Sequence, residues 1–146
     1  MKLLSLTKQI NLIKTSQLAA VMCLLLITSC KKEDAENAPL KTKIVGRWEV
    51  SKIETTVGST PPTTVAYDNS DYVDFKGTED DIVEISLNNS SQTGTYSVTV
   101  GNTFNMQIGS KLYMCTPSVV EQNKLEFNAT EDGSNPVVVR KYFLIR

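Results

Sequence analysis

Three cysteines and no histidine limit the chemistry open to this 146-residue chain. Without an imidazole there is no base to activate a serine and no nitrogen ligand for zinc, which removes a Ser-His-Asp arrangement and a histidine-based metal site. Carboxylates remain. Glu79, Asp80, Asp81 and Glu84 form one acidic cluster and Asp68, Asp71 and Asp74 another, and hard oxygens of this kind ligate calcium. Neither has the spacing of an EF-hand loop, so both read as solvated turns. No nucleophile can be paired with a base, and the chain reads as a protein that is not an enzyme and needs neither metal nor cofactor. The triplets starting at Asn88, Asn89 and Asn128 fit a glycosylation acceptor pattern but read as turn residues.

Cys30 is where the residues point to covalent chemistry. Lys2, Lys8 and Lys14 precede a ten-residue apolar run, Leu18 to Ile27, too short for a bilayer span of about 20 residues. The run leads into Ile27-Thr28-Ser29-Cys30, with an aliphatic residue three places before the cysteine and a small one directly before it. This resembles the lipobox of bacterial lipoproteins. The resemblance implies that residues 1–29 are a signal peptide and that the Cys30 thiolate takes a diacylglycerol through a thioether, its freed amine then being acylated. Each buried methylene contributes about 0.8 kcal/mol, so two or three acyl chains hold a protein to the membrane essentially permanently.

Directly after it, Lys32-Glu33-Asp34 resembles the export tag of Bacteroidetes lipoproteins, a lysine followed by two acidic residues. That resemblance implies lipid anchoring at the outer membrane, facing the cell surface; the competing reading is a solvated charged tether. Residues 30–42 otherwise lack apolar periodicity and include Pro39, as a flexible spacer would.

Charge and cysteine usage narrow the remainder, residues 43–146, to one domain. The 15 basic residues less Lys2, Lys8 and Lys14 face all 16 acidic ones after signal removal, a net charge near −4, which argues against nucleic acid as a partner. Cys23 lies in the signal and Cys30 at the lipid, so Cys115 has no intrachain partner and reads as a small buried hydrophobe.

From Lys43 onward, short alternating runs are separated by Gly, Pro, Asn, Asp and Ser, the pattern of an all-β domain. Inward faces are assigned to Val83, Ile85 and Leu87; to Tyr96, Val98 and Val100; to Phe104, Met106 and Ile108; and to Leu125 and Phe127. Weaker runs at 43–57, 72–76, 111–116 and 137–145 bring the total to about eight strands. Gly101-Asn102 and Gly109-Ser110 suit tight hairpins; 55–69, 88–94, 118–123 and 130–136 read as longer connections. In the opening run Gly46, Trp48 and Val50 share one phase and Ile53, Thr55 and Val57 the other, which a bulge near Ser51-Lys52 reconciles. A strand that changes face can serve a closed sheet, and closure removes exposed edges. The expectation is a small antiparallel up-and-down β-barrel.

Gly46-Arg47-Trp48 resembles the Gly-x-Trp motif opening lipocalin barrels and the lipocalin-like domains of Bacteroidetes lipoproteins. The resemblance implies that Trp48 closes the base of the barrel with Arg146, preferred to Arg140, across its ring in a cation–π contact. It also implies a small apolar or amphipathic ligand inside, with Val83, Ile85, Tyr96, Val98, Phe104, Met106 and Phe127 as candidate lining. Eight strands leave an interior just wide enough to be filled or to hold one small ligand. A filled barrel would instead be a scaffold whose loops at 55–69 and 130–136 contact a surface protein or glycan.

Overall fold

The strands fall on the alternating runs, and the turns fall on residues that tolerate a left-handed backbone. The computed structural model describes residues 39–146; Cys30, Lys32, Glu33 and Asp34 lie outside the described residues. A short helix α1 (Leu40–Ile44) precedes β1 (Gly46–Val57), β2 (Thr63–Ala66), β3 (Tyr72–Phe75), β4 (Ile82–Leu87) and β5 (Ser90–Thr99). Then come β6 (Thr103–Ile108), β7 (Lys111–Val120), β8 (Lys124–Glu131) and β9 (Val138–Ile145).

All pairings are antiparallel. β1 and β3 to β9 close an eight-stranded barrel through the β1–β9 ladder, and β2 is an extra strand. β2 pairs with Lys52–Thr55 and β3 with Gly46–Glu49 along the same edge of β1, so together they act as one interrupted strand. The bulge is at Ser51, between Val50 and Lys52 in the β1–β9 register. It lets Trp48, Val50 and Ile53 all turn inward.

Asp71 secures the interruption. Its backbone carbonyl accepts from Val50 N at 2.9 Å, while its carboxylate accepts from Asp68 N at 3.1 Å and Asn88 N at 2.6 Å. A buried acid satisfied by backbone donors is structural, so the reading as solvated turn residues is corrected for Asp71 and Asp74, which are 3% and 8% exposed, while Asp68 is an exposed turn residue as expected. Asp74 pairs with Lys76 and with Arg47 on the outer face.

Several other expectations change. The opening strand starts at Gly46 rather than Lys43, because Leu40–Ile44 forms a helical turn that buries Leu40 and Ile44 instead of belonging to spacer and strand. The 55–69 connection is shorter, since β1 continues to Val57 and the β-branched Thr63-Thr64-Val65 extends into β2. Asn88 and Asn89, at φ 51° and 61°, make a two-residue turn between Leu87 and Ser90, and 90–94 is strand. Val100, expected inward, is fully exposed in a three-residue turn with Gly101 and Asn102, because Thr99 pairs with Thr103.

The barrel is packed solid toward one end. Tyr96, Phe75, Phe104, Phe127 and Tyr142 form a continuous series of rings with centroids 4.8–5.7 Å apart, edge-to-face except for the last, stacked pair. Below them Trp48, fully buried, donates its Nε1–H to Ile44 O at 2.7 Å and so fixes α1 across the base. The Lys41 ammonium lies 2.6 Å from Asp81 Oδ1, an oxygen otherwise without a hydrogen-bond partner, and ties the helix to the β3–β4 connection.

The Arg146 guanidinium sits 3.7 Å above the centre of the Trp48 ring and donates to Val45 O. Gly46 makes room for it: φ is +111°, and a Cβ there would lie 3.0 Å from Arg146 Nη2. The opening and closing strands thus meet at one plug.

Candidate binding site

Inward side chains change character away from the Trp48 end. The lower barrel holds fully buried Phe75, Phe104, Phe127 and Leu144, whereas the β5 positions Ser90 and Gln92 are exposed and line an open cavity of about 550 Å³. Its wall from β4 and β6 is apolar, with Ile85, Leu87, Met106 and Ile108. The wall from β7 and β9 is polar, with Lys111, Tyr113, Arg140 and Tyr142. Ser90, Gln92 and the Gly109-Ser110 turn complete it.

Arg140 is the organising charge. It projects inward from β9 between Thr55 and Ala129, and its Nη1 donates to Tyr113 Oη at 3.3 Å and to Glu131 Oε2 at 3.2 Å. Glu131 in turn receives Lys111 Nζ at 2.6 Å on its other oxygen. Burial works against the Arg140 charge, but Tyr113, Tyr142 and Glu131 outweigh it and raise its pKa. The Lys111 hydrogen bond, aided by Arg140, holds the Glu131 carboxyl below its ordinary value against a smaller desolvation penalty.

Burial pushes the Tyr142 phenol far above its usual range. It does the same to the Cys115 thiol, which is 1% exposed and therefore a poor nucleophile.

Of the residues expected to line an interior site, Ile85 and Met106 reach the cavity. Val83, Tyr96, Phe104 and Phe127 lie in the buried core, and Val98 is partly buried against it. Gly46, Trp48 and Arg146 are at the plugged end. Sequence reasoning passed over Lys111, Tyr113, Arg140 and Glu131 as site residues. A signal existed for one of them: Arg140, Tyr142 and Leu144 share one phase of the last strand, so an inward Tyr142 and Leu144 bring Arg140 inward as well.

No family model, curated protein or solved structure matches the chain.

The charge network makes a pH prediction. Among the described residues four carboxyls lie below their ordinary values: Glu84, chiefly through the Tyr72 hydroxyl; Glu126, chiefly through Lys124; Glu131, chiefly through Lys111; and Asp68, chiefly through the Ser70 hydroxyl. A depressed native pKa stabilises above the unfolded-state value, and that contribution disappears as pH falls through the native one. With no histidine in the chain, the melting temperature is expected to stay level from neutrality down to about pH 5 and to drop below it. Calorimetric scans across that range check this; a decline already under way between neutrality and about pH 6 would contradict it.

Proposed function

We propose that this is a lipid-anchored binding protein that takes a small amphipathic molecule into the open end of its barrel. One observation carries the reading: an open cavity of about 550 Å³ lined by an apolar set of side chains from β4 and β6 and a polar set from β7 and β9. Sites for small molecules are typically concavities of about 300–1,000 Å³, mostly apolar with a few placed polar groups. The described residues begin at Pro39, beside the plugged end.

The role is carriage rather than catalysis. Cys115 is sealed in the core and burial holds the Tyr142 phenol neutral, and neither is placed to act as a nucleophile.

Native mass spectrometry of the lipoprotein, extracted gently from its own host, tests the reading. A discrete added mass that survives exchange into clean detergent is expected. Bare protein, both as extracted and after incubation with the host's lipid extract, would overturn it.

A second reading keeps some support. The two loops that would carry contacts to a surface protein or glycan meet at the rim, where Gly58 N donates to Val137 O at 2.7 Å and Val137 is 53% exposed.

The address rests on Lys32, Glu33 and Asp34. Replacing all three by alanine is expected to leave the protein facing the periplasm, protected from protease added to intact cells. Unchanged cleavage of the triple variant would remove the tag from the account.

A further inference from the structure

We infer that the ligand of this cavity carries a carboxylate head group, held by Arg140 with help from Lys111, while its apolar body lies against Ile85, Met106 and Ile108. The inference rests on the cavity being a binding site, and it names the chemistry that the site selects. Two of the side chains lining the cavity are charged, and both are cations. The carboxylate that partners them, Glu131, is shared between the two, one oxygen to each. One negative charge divided between two cations leaves the polar wall with a positive excess, in a partly desolvated place where electrostatic interactions are stronger than in water.

The geometry favours a planar anion. A guanidinium presents its donors as a rigid fork that matches a carboxylate edge, and Arg140 is held by β9, Tyr113 and Glu131, with only 29% of its side chain exposed. Ordering a cation before the ligand arrives lowers the cost of binding. Beside these cations β4 and β6 contribute Ile85, Leu87, Met106 and Ile108, with Ile108 paired to Lys111 and Met106 to Tyr113, so the head and the body of an amphipathic acid meet two adjoining surfaces. A cationic amphiphile would bring like charge to Lys111 and Arg140, and a neutral one would leave the charged wall unused.

The test uses the full lipoprotein in lipid nanodiscs, with empty nanodiscs as the blank. It is titrated calorimetrically at neutral pH with decanoate, decanol and decyltrimethylammonium, each below its micellar concentration. Decanoate is expected to bind about tenfold or more tighter than decanol, as a charge-assisted hydrogen-bonded pair would give, with the cation weakest. Arg140→Gln should abolish the preference for decanoate while leaving decanol binding in place, and Lys111→Gln should reduce decanoate affinity by a smaller factor. Retained decanol binding reports that the Arg140 variant still folds and still has its cavity.

Equal affinity for decanoate and decanol in the wild type, or an undiminished preference in the Arg140 variant, would overturn the head-group assignment and leave the cavity as a binding site. Failure of all three probes to bind the wild type would overturn the binding reading and this inference together.

Discussion

Trp48→Ala is expected to destabilise the barrel by about 4 kcal/mol, within the usual range for emptying a buried tryptophan site. Four consequences fall on one residue. The ring is fully buried and belongs to the core. Its Nε1–H is the donor that satisfies Ile44 O and ties α1 to the base, and the remaining carbonyl would be left without that partner. Arg146 would lose the face on which it rests, a contact worth about 0.5–2 kcal/mol. The apolar surface of Leu40 and Ile44, buried in the same core, would lose part of what covers it. Urea unfolding followed by far-UV circular dichroism measures the effect, fluorescence being unsuitable because Trp48 is the single tryptophan. Trp48→Phe should recover part of the packing but not the hydrogen bond, and so lie between. A loss under about 1 kcal/mol for the alanine variant would mean that the base is not a structural plug.

Gly94→Ala comes next, with an expected cost of about 3 kcal/mol, at the upper end for adding one carbon to a packed site. A Cβ at this position would stand 1.9 Å from the backbone oxygen of Gln107 and 2.7 Å from Ile108 Cδ1. The Ile108 tip can rotate aside. The carbonyl cannot, because β6 is held on its other edge by β7, so the β5–β6 ladder must open locally. For a domain of about 100 residues, this corresponds to a fall in melting temperature of roughly 12–24 °C.

Gly101→Ala is the informative contrast. Nothing lies within 4 Å of its would-be Cβ, and the site is strained only through a φ of +91°, so a loss of about 1 kcal/mol is expected. Equal losses at the two sites would show that the close approach of β5 to β6 at Gly94 is relieved without opening the ladder.

The pattern of residues that made strands legible also explains which strand was missed. β6 is plain in the sequence because Phe104, Met106 and Ile108 all turn toward side chains and are all buried. The first half of β5 has no such signature: Ser90 and Gln92 turn toward the cavity, while Ser91 and Thr93 turn to solvent. Alternation of apolar and polar residues reports a filled interior on one side. Beside a hollow the alternation vanishes, and the segment reads as a polar loop. The site is hidden in the sequence because a basic residue such as Arg140 reads as surface charge by type, although β9 turns it inward in phase with Tyr142 and Leu144. For a related reason composition cannot tell a solvated aspartate such as Asp68 from one such as Asp71, whose oxygens are bound by backbone N–H groups.

The sequence by itself determined the all-β class, the faces of the strands in the filled half, the place of the bulge and the meander order. Each follows from local alternation and turn residues, which act over a few positions along the chain. Tertiary structure alone decided that α1 caps the base, that β2 and β3 share one barrel position, and that the interior is solid at one end and hollow at the other. It also brought Gly46 and Arg146, at opposite ends of the domain, onto one tryptophan ring, and gathered Lys111, Glu131 and Arg140 from three strands beside a single opening. Closure of the sheet sets these relations, because which side chains share a cross-section depends on the register of all eight strands together.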